Sequence, residues 1–467
     1  MTANATITAE QSEKFAELSG DYNPIHVDAT AARRLLYGRT VVHGIHTLCL
    51  ALDTWAQEQK ADLRPVALSA SFKKPVFAGD RLTVTATEKN GRHTVTVSKD
   101  NEIAIKARFS VTGSGNSPNN QVAEGLPEKL GATELNQEEL AKASGVTPLL
   151  LDTAKANELF PDLLRAFGAD VTSLLLSTTR VVGMFCPGLH SLYAGLKLNF
   201  PDNFNVGDTL NYQAANFDSR FGTLDVHFSA GDVTGHAECY ARPAPVEQAS
   251  CADLKQLIDN KLFANQQALL VGGSRGLGEY TAKLIAAGGG HVTMTYRSGQ
   301  QEAMAICDDI ISAGGKADYL QLDTDDPAWP KALEDKSFTH IYFFASPRIE
   351  PNNGEFNESL YHSFKHVYCD ALQALVAQQQ LSLRGVFAPS TVYVDEPDEQ
   401  FREYIQAKKD MEALCEGFSA ANTGLTVECP RLPRLRTDQT AGFVAEDFPD
   451  TGTVIIPLLD KFAKGNS

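Results

Sequence analysis

Apolar and polar residues alternate along two stretches near the start of the chain. Residues 82–87 place Leu, Val and Ala on one face and threonines on the other, and residues 103–111 alternate in the same way. A period of two predicts half-buried β-strands, and Gly91 between two such runs indicates a hairpin. Residues 45–60 lack runs of β-branched residues and are predicted to be helical. The pattern therefore predicts a helix wrapped by an antiparallel sheet.

The middle of the chain carries a degraded copy of this pattern. Residues 207–212 (GDTLNY) mirror residues 79–84 (GDRLTV), and residues 185–190 stand where residues 41–46 stand in the first copy. We predict that a second sheet covers the edge or face that a single sheet leaves exposed. The predicted strands of the second copy are 192–200, 208–216, 222–230 and 233–241.

The last part of the chain has a different organisation, in which short apolar runs alternate with helical stretches. This order predicts a doubly wound parallel sheet. Its first strand leads from Ala268 into a Gly-rich turn, and a helix over 280–287 follows. The remaining predicted strands are 291–297, 319–323, 340–345, 385–390 and 425–429.

Two polar stretches that favour loops, at 113–120 and 242–248, mark the predicted domain boundaries. A chain of 467 residues is too long for one core. We therefore predict several domains, of class α+β and α/β. The predicted division is a first domain at 1–113, a linker at 114–147, a second domain at 148–245, a linker at 246–264 and a third domain at 265–467.

The composition is that of an ordinary globular protein, with 43% hydrophobic and 21% charged residues. A net charge of −17 argues against nucleic acid or an anionic membrane as the main partner. Eight cysteines without C-x-x-C pairs indicate reduced thiols, with neither a disulfide framework nor a metal site. The first residues lack a basic start followed by an apolar stretch, and no apolar run reaches membrane-spanning length. We therefore expect a cytoplasmic protein.

A tight turn near the start carries the most informative chemistry. The stretch Gly20-Asp-Tyr-Asn-Pro-Ile-His26 holds an acid, Asp21, and a base, His26, and Gly44 follows in Val-Val-His-Gly. A carboxylate and an imidazole can share the activation of a water molecule. A Gly that opens a helix offers its backbone N–H to a developing oxyanion. The alternative interpretation is an Asx-Pro turn with a structural histidine.

These residues, together with Phe72-Lys-Lys-Pro-Val-Phe-Ala-Gly-Asp-Arg-Leu82, closely resemble the MaoC-like, R-specific enoyl-thioester hydratases of the hotdog fold. The resemblance implies that Asp21 and His26 are the catalytic pair and Gly44 the oxyanion donor. The second copy lacks the signature, so its His190 is predicted to be structural. A duplicated hotdog with one active half resembles the double-hotdog hydratases.

The third domain opens with Gly272-Gly-Ser-Arg-Gly276-Leu-Gly278 between a strand and a helix. Glycines at these positions allow a tight turn, the approach of a pyrophosphate and close helix–strand contact. Arg275 and Arg297 could pair with a ribose 2′-phosphate, which favours NADPH over NADH. The segment resembles the short-chain dehydrogenase/reductases, and among them the β-ketoacyl-thioester reductases. The cofactor-binding residues so implied are Gly272, Ser274, Arg275, Gly276, Leu277, Gly278, Arg297, Asp323, Ala345 and Lys408.

That family uses a Tyr and a Lys four residues apart, which share one face of a helix so that the ammonium lowers the Tyr pKa. The chain contains this spacing three times, and only Tyr404 and Lys408 follow the fifth strand. By resemblance Ser390 binds the substrate carbonyl and Tyr404 is the acid/base. The chain departs from the family at Ala345-Ser-Pro, at Arg431 and in the helix 360–372, which lacks the expected Asn.

The two sites together predict a bifunctional enzyme that interconverts 3-ketoacyl, (R)-3-hydroxyacyl and trans-2-enoyl thioesters of CoA or an acyl-carrier protein. Two alternatives remain open. One is a hydratase with an inactive nucleotide-binding scaffold domain, and the other is a non-catalytic acyl-thioester-binding module. The family resemblances also imply a homo-oligomer.

Overall fold

The computed structural model describes residues 1–35, 37–59, 62–113, 122–349, 351–440 and 447–465. The polar stretch at 113–120 therefore lies, except for Gly113, outside the described residues. The chain forms two compact units. The first begins at Met1 and ends at Ala244, and the second begins at Pro245 and extends to the end of the described chain. Within the described ranges, the helices are too short or too polar to cross a bilayer.

The first unit is built on one antiparallel sheet of ten strands, in the order β1-β3-β4-β5-β2-β9-β12-β11-β10-β7. The short strands β6 and β8 form a separate parallel pair. The strands are β1 (Thr2–Ala5), β2 (Arg64–Phe72), β3 (Leu82–Lys89), β4 (Arg92–Lys99), β5 (Glu102–Thr112), β6 (Ala123–Glu124), β7 (Ser144–Pro148), β8 (Leu150–Leu151), β9 (Ser191–Asn199), β10 (Thr209–Asp218), β11 (Thr223–Ala230) and β12 (Val233–Ala241).

The sheet consists of two similar halves joined edge to edge. From the outside to the centre, the order β3-β4-β5-β2 in one half repeats as β10-β11-β12-β9 in the other. The central strands β2 and β9 pair antiparallel, with Ala67 opposite Asn199. The helices of the unit are α1 (Ala9–Ser19), α2 (Pro24–Val27), α3 (Ala29–Arg33), α4 (Gly44–Ala56), α5 (Gln137–Leu140), α6 (Thr153–Leu159) and α7 (Pro161–Arg180).

Helices α4 and α7 pack against each other in the core of the unit. Helix α4 is buried almost all round because its residues are largely apolar, as expected of a helix enclosed by a sheet. Its predicted span, 45–60, is confirmed except at the C-terminal end. The strands predicted in both copies are also confirmed, with shifts of one or two residues at their ends. The hairpin predicted at Gly91 is confirmed by its left-handed φ of 71°.

The predicted linker 114–147 is not free of regular structure. Its last residues belong to β7, which pairs with β10 at the edge of the sheet, and Thr147 is 4% exposed. Local composition missed this strand because its stability comes from pairing with a partner distant in the sequence. The two predicted hotdog domains accordingly lie within one compact unit that shares a continuous sheet.

The second unit contains a six-stranded parallel sheet in the order β15-β14-β13-β16-β17-β19. When only the six strands of this sheet are numbered along the chain, this is the 3-2-1-4-5-6 order of doubly wound nucleotide-binding sheets. The strands are β13 (Gln267–Val271), β14 (His291–Tyr296), β15 (Lys316–Gln321), β16 (His340–Phe343), β17 (Gly385–Phe387), β18 (Ser390–Thr391), β19 (Thr426–Glu428) and β20 (Arg431–Leu432). Strands β18 and β20 form a separate parallel pair.

Helices cover both faces of this sheet. Leu270 of β13 points into a core formed with α9, α10 and α14, whereas Leu269 points into a core formed with α12 and α13. A π-helical turn at His366–Ala371 joins α11 to α12. The helices are α8 (Cys251–Leu254), α9 (Gly276–Ala287), α10 (Gln300–Ser312), α11 (Glu358–Lys365), α12 (Leu372–Gln379), α13 (Arg402–Ala421) and α14 (Thr451–Gly465). The predicted alternation of strands and helices is confirmed, although β15 begins and ends earlier than predicted.

Candidate active sites

The turn after α1 is held in place by hydrogen bonds to distant backbone. Helix α1 ends at Gly20, whose φ of 73° is left-handed. Asn23 is fully buried, and its side-chain oxygen accepts a hydrogen bond from the Ile25 N–H at the start of α2. Its amide nitrogen donates to the backbone oxygens of Gly183 and Gly188, at 2.8 and 3.0 Å. The second half of the unit therefore fixes the loop that carries the predicted acid and base.

Asp21 is 1% exposed and contacts residues of both halves. The Thr179 hydroxyl donates to its Oδ2 at 2.7 Å, and the Asn23 N–H donates to its Oδ1 at 3.2 Å. A Cβ on Gly183 would lie 2.2 Å from Oδ1, so only Gly fits beside this carboxylate. Burial raises the pKa of Asp21, while His26 and the two hydrogen bonds act in the opposite direction.

His26 lies in the same pocket as a neutral base. Its Nδ1 is 2.8 Å from the Val41 carbonyl oxygen, which can only accept, so Nδ1 carries the proton and Nε2 keeps its lone pair. Burial lowers the pKa of His26, and Asp21 partly opposes that shift. The structure thus brings Asp21 and His26 together, with a basic nitrogen available for proton transfer.

His43 lies directly beneath this pair. Its Nε2 donates to the backbone oxygen of Asp21 at 2.9 Å, and its ring stacks on that of His26 with centroids 3.8 Å apart. Burial, with the neighbouring His26, lowers the pKa of His43 well below 6.5. His43 is therefore a neutral ring that supports both members of the pair.

Asp21, His26 and His43 together offer three possible metal ligands within 4.8 Å of one another. The two imidazole rings, however, are nearly parallel, at 25°. Imidazole lone pairs lie in the ring plane, so stacked rings direct them side by side and a single ion cannot meet both well. The arrangement suits proton transfer better than metal binding.

Gly44 is the first residue of α4, and its N-cap residue, His43, forms no side-chain cap. The N–H groups of the first turn are therefore available, at the positive end of a 13-residue helix. A Cβ on Gly44 would lie 2.9 Å from the Phe72 ring. Gly44 also lines a cavity of about 110 Å³. Other residues lining the cavity are Asp21, His26, Thr47, Phe72, Lys73, Lys74 and Ile105 from the first half, and Thr179, Val182, Gly183, Ser191, Leu192 and Tyr193 from the second.

The Gly-rich turn of the second unit combines left-handed glycines with a close contact between helix and strand. Gly272 and Gly276 have left-handed φ values of 82° and 59°. A Cβ on Gly278 would lie 2.2 Å from the Gly272 oxygen, so helix and strand meet closely, while a Cβ on Gly276 would meet nothing closer than 3.7 Å. Helix α9 starts after Arg275 without a side-chain cap. The same turn contains Ser274, which is buried, and Leu277, which is half-buried. Its Gly272 lies close to the backbone of Ala345, which follows β16.

Arg297 and Asp323 form an ion pair that the sequence did not indicate. The Arg297 Nε lies 3.1 Å from Asp323, and an Nη lies 2.7 Å from Asp325. The two residues therefore meet at the end of β14. A 2′-phosphate would have to compete with these two carboxylates for the Arg297 guanidinium.

Ser390, Tyr404 and Lys408 also lie together. Tyr404 and Lys408 are one turn apart on α13 and reach the residues on either side of Ser390. The Lys408 Nζ donates to the Pro389 oxygen at 2.9 Å. The Thr391 side chain acts to lower the pKa of Tyr404.

The pKa of Tyr404 is raised in this structure, whereas the family resemblance implies a lowered one. Burial raises the pKa of Tyr404 to about 12 and lowers that of Lys408 to about 8. The Lys408 ammonium lies over the ring of Tyr368, 3.9 Å from its centroid. Tyr368 stands in the π-helical turn, in the region where an Asn was expected. Because the ammonium is held by Pro389 and this ring, it does not lower the Tyr404 pKa.

Arg431, one of the positions at which the chain departs from the family, pairs with two carboxylates. Its guanidinium forms two hydrogen bonds with Glu412, at 2.9 and 2.6 Å, and an ion pair with Asp395, in the loop between Ser390 and α13. Arg431 holds the pKa of Glu412 below its usual value. The charge of Arg431 is thus balanced by two carboxylates.

Three residues of the site, Thr179, Gly183 and His43, were not predicted from the sequence. Thr179 and Gly183 lie in α7 and the π-helical turn that follows it, Val181–Phe185, where the sequence resembles no signature. Only His43, beside Gly44 in the Val-Val-His-Gly step, was within a segment already singled out. Its neutral state and its stacking on His26 depend on the fold.

Residues 1–108 match the model of the family described as MaoC like domain. The chain is 38% identical over 71 residues to the (R)-specific enoyl-CoA hydratase of Aeromonas caviae, which covers 15% of this chain and 52% of that protein. It is 35% identical over 88 residues to the 3-hydroxyacyl-thioester dehydratase Z of Mycobacterium tuberculosis, which covers 17% and 57%. The chain thus spans a little over half the length of these two relatives.

An uncharacterised oxidoreductase of Escherichia coli, YgfF, is 44% identical over 59 residues, which are 13% of this chain and 24% of that protein. Among solved structures, a dehydrogenase/reductase from Sinorhizobium meliloti superposes with a TM-score of 0.40 at 18% identity, covering 45% of this chain and 94% of that one. The match over residues 1–108 coincides with the part of the chain that contains Asp21, His26 and Gly44. Residues 1–108 are therefore a MaoC-like domain, and the resemblance of this part of the chain to that family is confirmed.

Proposed function

We propose that the chain is a bifunctional enzyme, an R-specific enoyl-thioester hydratase/3-hydroxyacyl dehydratase and an NADPH-dependent 3-ketoacyl-thioester reductase. The observation that carries the hydratase part is the Asp21–His26 pair, a buried carboxylate beside a half-buried imidazole, in a cavity that Gly44 also lines. The two relatives, an (R)-specific enoyl-CoA hydratase and a 3-hydroxyacyl-thioester dehydratase, carry names that agree with this chemistry. The substrate is a thioester of CoA or of an acyl-carrier protein.

In the hydration direction, a water molecule binds between the Asp21 carboxylate and the His26 Nε2. As the water oxygen forms its bond to the β-carbon, the pair takes up the proton and a proton passes to the α-carbon, so the pair ends unchanged. Negative charge develops meanwhile on the thioester oxygen. The Gly44 N–H at the start of α4 stabilises that charge. Dehydration is the reverse sequence.

The pH dependence of hydration follows from the state of the pair. The reaction needs an ionised Asp21 and a neutral His26, and burial lowers the pKa of His26 below 6.5. Burial also raises the pKa of Asp21, so protonation of either group can set the acid limb. We therefore expect kcat/KM to fall as the pH is lowered. Initial rates of crotonyl-thioester hydration across the pH range, with enzyme stability checked at each pH, measure this limb. A rate that rises as the pH falls would contradict the need for an ionised Asp21 and a neutral His26.

The residues of the second unit fit a dinucleotide. The left-handed glycines and the open space before Gly276 would accept the pyrophosphate, and the uncapped start of α9 would bind its charge. Arg275 and Arg297 are the candidates for a 2′-phosphate, and Asp323 and Ala345 for the adenosine. When bound, NADPH supplies the hydride for reduction of the ketone. Tyr404 donates the proton to the substrate oxygen, Ser390 orients that oxygen, and Lys408 contributes to the ribose site.

Replacing Tyr404 by Phe tests the reductase. We expect reduction of acetoacetyl-CoA by NADPH to fall by about 10²- to 10⁴-fold, because the variant lacks the proton donor. The matched control is Tyr361→Phe, since Tyr361 has the same Tyr–Lys spacing but its hydroxyl donates to Asp410 on the surface of α13. Oxidation of NADPH, followed by its absorbance, measures both. Equal activity of the Tyr404→Phe variant and the wild type would remove Tyr404 from the mechanism.

A second candidate function for this unit is a nucleotide-binding scaffold without reductase activity. The observation in its favour is Lys408, whose ammonium is directed to Pro389 and Tyr368 while the pKa of Tyr404 is raised. Fluorescence titration with NADPH and the acetoacetyl-CoA assay separate the two. Binding without oxidation would support the scaffold, whereas binding with oxidation supports the reductase.

A further inference from the structure

We propose that Thr179, from the degraded second half of the first unit, is a positioning residue for Asp21. This inference rests on the proposed hydratase function. Its consequence is that the second half is part of the active site, although it lacks the catalytic signature.

The direction of the Thr179 hydroxyl distinguishes it from the other threonines of α7. The hydroxyls of Thr172 and Thr178 donate to backbone oxygens of their own helix, at Gly168 and Leu175, both at 2.8 Å. This is the usual hydrogen bond of a buried helical threonine. Thr179 instead donates across the pocket to Asp21, 158 residues away in the sequence, at 2.7 Å. Its hydroxyl thus forms a hydrogen bond with the Asp21 carboxylate and not with the backbone of its own helix.

The Asp21 carboxylate is held on both oxygens. Thr179 donates to Oδ2, and the Asn23 N–H donates to Oδ1. Each carboxylate oxygen keeps a further lone pair, so water can still bind. Asp21 is 1% exposed, so its carboxylate has lost almost all of its hydration. The two hydrogen-bond donors replace part of that hydration.

The segment that follows Thr179 is shaped around the same carboxylate. Gly183 lies in the π-helical turn and leaves room for the Oδ1 oxygen, and its backbone oxygen accepts from the Asn23 amide. π-Helical turns within α-helices frequently occur at functional sites. Thr179, Gly183 and this turn therefore form one wall of the site, which fixes where the carboxylate points.

Thr179→Val, Thr179→Ser and Thr172→Val test the proposal in the full-length protein. We expect Thr179→Val to lower kcat for crotonyl-CoA hydration by about 10- to 100-fold, the effect of losing a hydrogen bond to a charged group. The acid limb of its pH–rate profile moves to higher pH, because the hydroxyl favours the ionised carboxylate and its loss raises the Asp21 pKa. Thr179→Ser restores rate and profile, and Thr172→Val, an equally buried control on the same helix, changes neither.

A purely structural role would lower Tm in Thr179→Val without moving the pH profile, and that result overturns the proposal. If the Val variant does not fold, Thr179→Ala provides the same comparison without a β-branched side chain. The variant Asp21→Asn distinguishes a failure of the proposed hydratase function from a failure of the proposed role of Thr179. Wild-type activity in Asp21→Asn overturns the proposed function itself, whereas an inactive Asp21→Asn with an unchanged Thr179→Val overturns only the role of Thr179.

Discussion

Replacing Asp21 by Asn, or His26 by Ala, is expected to lower hydration of crotonyl-CoA by about 10²- to 10⁴-fold, the usual contribution of a general acid–base pair. The physical reason is that both groups act on the same water molecule. An amide at position 21 keeps the shape of the side chain, and its oxygen can still accept from the Asn23 N–H while its NH2 donates to the Thr179 hydroxyl, but it cannot take a proton. The loss of the enoyl-thioester absorbance measures the rate.

The matched control is Asp53→Asn. Asp53 is also a buried carboxylate, 7% exposed, and it accepts hydrogen bonds from the backbone N–H groups of Asp162 and Leu163 at the start of α7. The amide oxygen of Asn can still accept these bonds, so this variant keeps its activity. Unchanged hydration in both Asp21→Asn and His26→Ala would overturn the assignment of these two residues as the catalytic pair, whereas a wild type without any hydration would favour a non-catalytic thioester-binding module.

Gly183→Ala is expected to reduce hydration by about 10²-fold or more, the scale of a small misplacement of a reacting group. The added Cβ would lie 2.2 Å from Oδ1 of Asp21 and 2.6 Å from its Cγ, so the carboxylate has to move. The change is thus one methyl group, placed on a residue that takes no part in the chemistry. Steady-state kinetics should show the loss in kcat.

Gly131→Ala is the control for Gly183→Ala, because a Cβ at Gly131 meets no atom within 4 Å and its φ is not left-handed. A double-mutant cycle with Asp21→Asn sharpens the test. If Gly183→Ala acts only by displacing Asp21, it adds little loss of rate when Asp21 is already Asn. Full activity of Gly183→Ala would mean that the π-helical turn moves to accommodate the methyl group, and that this turn does not fix the position of the Asp21 carboxylate.

The parts of the hydratase site that lie close together in the sequence could be predicted. Asp21 and His26 share one turn, and Gly44 opens the next long helix, so their chemistry is readable from local spacing. Thr179 and Gly183 could not be predicted, because they meet Asp21 only once α7 packs against α4. The neutral, stacked state of His43 also depends on burial, which residue identity alone does not determine.

In the second unit, too, some features could be predicted from local sequence and others depend on the fold. The alternation of strands and helices and the Gly-rich turn predict the parallel sheet, whereas the order of its strands was seen only in the structure. The orientation of Lys408 could not be predicted, because the Tyr368 ring and the Pro389 oxygen that hold its ammonium come from separate elements. The pairing of Arg297 with Asp323 and Asp325 likewise joins the ends of neighbouring strands.

The most direct test of the account is to mix the purified chain with acetoacetyl-CoA and NADPH and to identify the acyl-CoA products by mass. The account predicts that the wild type forms both 3-hydroxybutyryl-CoA and crotonyl-CoA, and that Asp21→Asn stops at the hydroxyacyl product. A wild type that forms the hydroxyacyl product without any crotonyl-CoA would contradict the assignment of Asp21 and His26. A wild type that leaves acetoacetyl-CoA unchanged would contradict the reductase.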